Sequence, residues 1–303
     1  MATLPFLWLD VFTDDAFGGN ALAVFPDAAG LSEAQMRTIA RELNLSETTF
    51  VTPAESPGTT HRVRIFTPTR ELAFAGHPTV GTAIALASHL GNGDGDGHDG
   101  DDRDVDLVLG LTAGPTPVRV RRAASGRRRA TFVAPRTPRL SPASIGGPAV
   151  AALVGLGPTD LDDSIPVHLT DSGGTVFLVV GVRSLEALGR CRPIGSAPDV
   201  VGIYVVCAVA DGWRCRMFAP ESGVVEDPAT GSAGCSFAGT LHRYVPGFAA
   251  DGTYRVSLRQ GVEMGRPSEL ALEFDVTAGT IAEVRMTGSA VEVLRGEIDV
   301  PSS

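Results

Sequence analysis

Three side chains capable of acid–base chemistry stand at the predicted ends of secondary-structure elements. Glu47 precedes a β-branched segment, whereas His77 and Asp227 are each followed by Pro and then by small residues. Because Asp is a good N-cap and Pro is tolerated at the first helical position, this pattern predicts helices that begin at these points. A helix N-terminus lined by small side chains leaves backbone N–H groups accessible to an anion. The three residues therefore predict proton transfer on a small carboxylated substrate.

The segments around His77 and Asp227 belong to a longer repeat. At a spacing of 152, the chain repeats Arg64-Ile-Phe-Thr-Pro as Arg216-Met-Phe-Ala-Pro. At a spacing of 150, it repeats His77-Pro-Thr-Val-Gly-Thr-Ala as Asp227-Pro-Ala-Thr-Gly-Ser-Ala. One short match can arise by chance in a chain rich in Gly and Ala, but here a strand motif and a helix start recur in the same order. The repeat predicts two similar domains that face each other across a cleft, with His77 opposite Asp227.

Each half of the chain contains one helix that is predicted to be apolar on nearly all sides. These helices run from about 77 to 90 and from about 228 to 244, and such a helix must be buried. Most other segments of each half alternate like short strands. We therefore expect an N-terminal barrel domain over residues 1–134 and a C-terminal barrel domain over residues 135–303, each wrapped around its central helix. The strand near 290–303 is a candidate to return to the N-terminal domain.

The composition excludes several classes of function. The 303-residue chain has a formal net charge of −10, which argues against binding to nucleic acid or to an anionic membrane. No segment approaches the roughly 18 consecutive apolar residues of a membrane span. All 25 basic residues are arginines, so a lysine Schiff base, including that of pyridoxal phosphate, is excluded. We expect a cytoplasmic enzyme that acts without a cofactor.

The sequence offers no recognisable metal site. Its four cysteines form no Cys-x-x-Cys pair and have no His spacing typical of zinc, so we expect reduced thiols and no metal. Cys235 falls inside the second apolar helix and is predicted to pack in the core. The acidic, glycine-rich segment 91–104 is similar to a calcium loop, but it lacks the closing Glu, and a solvated loop is the preferred interpretation.

Four motifs together resemble the PhzF-like family of phenazine-biosynthesis isomerases, which shares the fold of diaminopimelate epimerase. They are Phe17-Gly-Gly-Asn20, Leu45-Ser-Glu-Thr48, Phe74-Ala-Gly-His-Pro-Thr-Val-Gly81 and Glu226-Asp-Pro-Ala-Thr-Gly-Ser-Ala233, and the resemblance spans residues 7 to about 295.

The resemblance implies an α+β fold of two pseudo-symmetric diaminopimelate epimerase-like domains, usually in a homodimer. Each domain is a β-barrel-like sheet around a central helix. The resemblance also implies that Glu47 shuttles the proton, while His77, Asp227 and Ser232 line and polarise the site. The substrate-binding residues that it implies are Asn20, Ser46, Gly76, Gly231 and Ser232.

The sequence leaves three functions open. The first is isomerisation of trans-2,3-dihydro-3-hydroxyanthranilate or a related cyclic or dienyl amino acid. The second is isomerisation or epimerisation of another amino acid, although the thiol pair of the epimerase branch is replaced here by the segments around His77 and Asp227. The third is a non-catalytic binding protein, for which Glu47 would be only a solvated acid at a strand end.

Overall fold

The computed structural model describes residues 2–90, 104–171 and 174–302. The acidic segment predicted to be a solvated loop lies outside the described residues, apart from Asp104. The chain divides into two compact units. The first unit comprises residues 1–133 and 287–303, and the second comprises residues 134–286.

The described residues form seventeen strands and five α-helices. The strands are β1 (Thr3–Val11), β2 (Asn20–Phe25), β3 (Glu47–Pro53), β4 (His61–Phe66), β5 (Glu71–Leu72), β6 (Val105–Leu111), β7 (Gly114–Arg122), β8 (Arg128–Val133), β9 (Arg139–Pro142), β10 (His168–Asp171), β11 (Val176–Gly181), β12 (Gly202–Val209), β13 (Gly212–Ala219), β14 (Val224–Asp227), β15 (Gly252–Gln260), β16 (Ser268–Thr277) and β17 (Thr280–Asp299). The helices are α1 (Glu33–Leu43), α2 (Gly76–Leu90), α3 (Gly147–Leu153), α4 (Leu185–Arg190) and α5 (Gly231–Tyr244). None of these helices has the length and apolar character needed to cross a membrane.

The first unit is a closed barrel of eight strands around α2. From β1 the ladder runs through β2, β3, β4, β6, β7 and β8 to β17, which pairs again with β1. The β2–β3 and β4–β6 pairs are parallel. The antiparallel pairs are β1–β2, β3–β4, β6–β7, β7–β8 and β17–β1. Residues 76–87 of α2 are all buried, as expected for a helix that has no polar face.

The second unit repeats this order of pairing. Its ladder of β10, β11, β12, β13, β15 and β16 alternates antiparallel and parallel pairs in the same succession as β1, β2, β3, β4, β6 and β7. Helix α4 connects β11 to β12 as α1 connects β2 to β3, and α5 connects β14 to β15 as α2 connects β5 to β6. The expected fold class, α+β with two similar barrel-like domains around central helices, is therefore confirmed.

The repeated Arg-x-Phe motif performs the same structural task in both units. In the first unit, Arg64 makes two hydrogen bonds to Glu71, of 2.8 and 2.5 Å, and its guanidinium lies 5.0 Å from the centre of the Phe66 ring. In the second unit, Arg216 makes two bonds of 2.8 Å to Glu226 and lies 4.9 Å from the Phe218 ring. Paired, bidentate carboxylate bonds with ring stacking are the geometry that favours Arg over Lys.

Gly81 allows α2 to approach the barrel strands closely. A Cβ atom at this position would lie 2.5 Å from Leu22 Cδ2 and 2.8 Å from Val11 Cγ2. Both neighbours are fully buried, so the surrounding packing has little room to yield. The glycine in the predicted motif therefore sets the distance between β1, β2 and the helix that carries His77.

Candidate active site

The first unit brings together four of the residues predicted to form the site: Asn20, Ser46, Glu47 and His77. Asn20 is the first residue of β2, and Glu47 is the first residue of β3. Because these strands are parallel neighbours, they begin at the same edge of the barrel. His77 is the second residue of α2, after the buried Gly76, and its side chain is only 3% exposed.

A chain of hydrogen bonds holds the His77 ring. The Ser46 hydroxyl donates to Asn20 Oδ1 at 3.1 Å, and the Asn20 amide nitrogen lies 3.2 Å from His77 Nδ1. The other ring nitrogen, Nε2, is buried and has no hydrogen-bond partner among the described residues. Buried polar atoms normally have a partner, and an exception calls for a specific explanation, such as a catalytic role. The arrangement therefore fixes the ring through Nδ1 and leaves Nε2 as the atom with unused hydrogen-bonding capacity.

His77 is neutral over the physiological pH range. Burial lowers the pKa of its imidazole from the usual 6.5 to about 3, against a smaller opposing effect of the neighbouring Ala21 backbone. Glu47 Oε2 lies 3.6 Å from His77 Nδ1, which is too long for a hydrogen bond. With a neutral ring this contact is not an ion pair, and His77 therefore places no positive charge beside the Glu47 carboxylate.

The turn before Asn20 is constrained by its backbone conformation. Gly19 has φ +59°, and a Cβ atom there would lie 2.3 Å from the Val11 carbonyl oxygen. Phe17 also has a positive φ of 69°, and its backbone N–H donates to the buried Asp10 Oδ2 at 2.6 Å. A bulky residue in this region is strained unless its surroundings hold it there. These contacts fix the point at which β2 begins and therefore the position of Asn20.

The second unit holds Asp227, Gly231 and Ser232 in one short segment. Asp227 is the last residue of β14, Gly231 is the buried first residue of α5, and Ser232 is half-buried. The prediction that this helix begins at Pro228 with Asp227 as its N-cap is wrong, because Thr230 is the N-cap. The Thr230 hydroxyl donates to Asp227 Oδ2 at 2.5 Å.

A residue distant in the sequence is hydrogen-bonded to the segment that precedes α5. The fully buried Gln260 donates through Nε2 to the Asp227 carbonyl oxygen at 2.7 Å and to Thr230 Oγ1 at 3.0 Å. In a helix starting at Pro228, that carbonyl oxygen would accept from the N–H of Gly231. Gln260 lies 33 positions from Asp227. The sequence did not predict this contact, because no local pattern connects residues so far apart.

Glu226, the neighbour of Asp227, is fixed by a buried arginine. Besides its two bonds to Glu226, Arg216 donates through Nη1 to the carbonyl oxygens of Leu188 and Cys191, each at 3.0 Å. Leu188 lies in α4, and Cys191 directly follows this helix. The sequence repeat singled out Arg216, but it did not predict that Glu226 is the partner of this arginine.

The cysteines offer no ionised thiol at this site. All four are buried, and Cys235 lies inside α5 as predicted. Burial raises the pKa of Cys191 to about 11, that of Cys215 to about 12 and that of Cys235 still further. Since the thiolate is the reactive form, these residues are packing groups and not proton carriers at neutral pH. Among residues 2–90, 104–171 and 174–302, no group of three His, Cys, Asp or Glu side chains could hold a metal ion.

Residues 9–296 match the protein family described as phenazine biosynthesis-like protein, PhzC-PhzF. The chain belongs to this family. An uncharacterized isomerase of Mesorhizobium japonicum is 37% identical over 98% of this chain and 99% of its own length. The trans-2,3-dihydro-3-hydroxyanthranilate isomerase of Pseudomonas chlororaphis is 36% identical over 96% of this chain and 97% of its own. A solved PhzF-family protein from Bacillus anthracis has a TM-score of 0.85 and 25% identity, covering 99% of this chain and 100% of that structure.

These similarities confirm the PhzF-like family and the epimerase-like fold that the sequence motifs indicated. They also support an isomerase, because the curated relatives carry that name. The match extends over nearly the whole chain, so both units belong to the shared architecture.

Proposed function

We propose that this PhzF-family protein is a cofactor-independent isomerase in which Glu47 moves a proton between two carbon atoms of a small carboxylated substrate. In its carboxylate form Glu47 removes a proton from one carbon and returns it to another along a conjugated system. The reaction is balanced, because one C–H bond breaks, another forms and the double bonds shift, so no electron acceptor is consumed. General acid–base catalysis of this kind typically contributes about 10²–10⁴ to the rate.

The observation that carries the proposal is the neutral, buried His77 beside Glu47. A protonated imidazole would hold the carboxylate in an ion pair and weaken it as a base, whereas a neutral ring does not. Through Nε2, the same ring can make a hydrogen bond to the substrate as charge develops. Asn20 and Ser46 then support the reaction by keeping the ring in place.

The substrate class that we propose is a cyclic or dienyl amino acid such as trans-2,3-dihydro-3-hydroxyanthranilate. Support comes from three Pseudomonas relatives that are named as isomerases of this compound and are 35–36% identical over 95–96% of this chain. Epimerisation by a pair of thiols is disfavoured, because burial holds the pKa values of the four cysteines above their usual range.

The decisive variant is Glu47→Gln, which keeps the shape of the side chain but cannot take up the proton. We expect turnover of trans-2,3-dihydro-3-hydroxyanthranilate to fall by about 10²-fold or more, while ligand affinity changes little. Turnover is followed by chromatography, and the reaction in heavy water reports whether deuterium enters the product. Affinity is measured by calorimetry on the variant.

Glu55→Gln is the matched control, because Glu55 lies just beyond the other end of β3 and its side chain is 66% exposed. It should leave turnover unchanged. Full activity of Glu47→Gln would remove Glu47 from the mechanism. Ligand binding by the unaltered protein without turnover or label exchange would favour a binding protein and refute the proposed reaction.

The remaining residue roles stay predictions. Asp227 as a second catalytic group, and Gly76, Gly231 and Ser232 as substrate-binding residues, are proposed from the family resemblance. A homodimer and a cytoplasmic location are proposed on the same basis.

A further inference from the structure

The Asp227–Thr230 segment has a local preference that the tertiary structure overrides. Asp followed by Pro, Ala and Thr is a favourable helix start, yet α5 begins only at Gly231. Thr230 has φ −118° and ψ 86°, well outside the helical region. A conformation that opposes local propensity requires a compensating interaction nearby.

The Gln260 side-chain amide supplies that interaction. Its Nε2 donates to the Asp227 carbonyl oxygen and to Thr230 Oγ1, while its Oε1 accepts from the Thr230 backbone N–H at 3.4 Å. Thr230 Oγ1 in turn donates to Asp227 Oδ2. One fully buried amide therefore connects the backbone at both ends of the segment and, through Thr230, the Asp227 carboxylate.

Gly261 brings this amide under the segment. It has φ +74°, and a Cβ atom there would lie 2.7 Å from the Pro228 carbonyl oxygen and 3.0 Å from Pro228 Cα. Only glycine permits both this conformation and this close approach. The end of β15 is thus pressed against Pro228, independently of the hydrogen bonds made by Gln260.

We infer that Gln260 is a positioning residue that holds residues 228–230 out of α5 and thereby sets the position of the Asp227 carboxylate relative to the helix N-terminus. A helix advances about 1.5 Å per residue and a strand about 3.3 Å, so winding three residues into the helix would move Asp227 by up to about 5 Å. A shift of about 1 Å in a catalytic group can already cost about 10²-fold in rate. The kinetic part of this inference rests on the proposed function, whereas the conformational part does not.

The test is Gln260→Met, which keeps an unbranched side chain of similar size but cannot make the three hydrogen bonds. We expect the ¹³Cα and ¹³Cβ chemical shifts of Ala229 and Thr230 to become helical. We also expect kcat for the isomerisation to fall about 10- to 100-fold with KM within about threefold, because the substrate still binds but the carboxylate is displaced. Ser268→Ala is the matched control, because Ser268 is fully buried, pairs with Gln260 across β15 and β16, and donates its hydroxyl to the Arg266 carbonyl oxygen.

A second pair of variants keeps the test decisive if Gln260→Met does not fold. Thr230→Val removes the hydroxyl that joins Gln260 to Asp227, and Thr230→Ser retains it. We expect Thr230→Val to lower kcat and Thr230→Ser to keep kcat near that of the unaltered protein. Non-helical shifts in Gln260→Met, or a kcat within twofold of the unaltered protein, would overturn the inference. If the unaltered protein turns over no substrate, the proposed function fails while the chemical shifts still decide the conformational part.

Discussion

His77 should make the stability of the protein depend on pH in a specific direction. Its pKa is about 3 in the folded protein, against an ordinary value of 6.5 when the chain is unfolded. Between these values the unfolded chain binds a proton at His77 that the folded protein does not. The free energy of unfolding is therefore unaffected by His77 well above pH 6.5 and falls as the pH decreases toward 3. At about 1.4 kcal/mol per pH unit, His77 alone should lower the free energy of unfolding by about 2 kcal/mol between pH 7.5 and pH 5.

The assay compares urea unfolding of the unaltered protein and of His77→Asn at pH 7.5 and at pH 5. The loss on acidification should be about 2 kcal/mol smaller in the variant, because its amide does not titrate. His168 is buried and its pKa is also lowered, so it adds a loss of the same sign that cancels in the comparison. The His77 ring signals in NMR spectra should also stay constant from pH 8 to pH 5. Equal pH slopes for the two proteins, or a His77 titration near pH 6.5, would refute the argument.

Two further pairs of variants test the packing and the buried ion pair. Gly81→Ala should destabilise the protein by about 1 kcal/mol in urea unfolding, because overpacking costs about 1–3 kcal/mol and the gain in helix propensity returns about 1. Gly189→Ala, in open space within α4, should instead stabilise it by up to about 1 kcal/mol, and equal effects of the two changes would contradict the close approach of α2. Arg216→Met should cost about 3–5 kcal/mol, because it leaves the largely buried Glu226 carboxylate without its cation. Arg190→Met, at an exposed arginine that pairs with Glu186 and Asp160, should cost much less, and similar losses for both arginines would count against burial as the cause.

The sequence predicted the elements whose pattern is local. Ser32 belongs to the residue types that favour helix N-caps, and its hydroxyl accepts from the Gln35 backbone N–H in a capping box at the start of α1. The two apolar helices were expected to be buried, and both are. The repeat around Arg64 and Arg216 predicted two similar barrel-like domains, because a motif of strand and helix start recurring in the same order requires the same packing twice.

The prediction was less successful where distant contacts compete with local preference. The start of α5 was placed at Pro228, because the propensity of Asp-Pro was read without the amide of Gln260. The partners of Arg64 and Arg216 also lie outside the repeated motif, on β5 and β14. In each case the deciding hydrogen bond joins residues that are separated in the sequence, so no periodicity reports it.

By itself, the sequence determined the family, the duplicated α+β architecture and the residue types capable of proton transfer, since motifs and periodicity are local properties of the chain. Only the tertiary structure decided that His77 is neutral, because the loss of solvation that lowers its pKa arises from burial. It also decided that Asn20 contacts the His77 ring and that Gln260 delays α5. Both contacts join residues far apart in the chain, and they form only when strands and helices meet in the folded barrel.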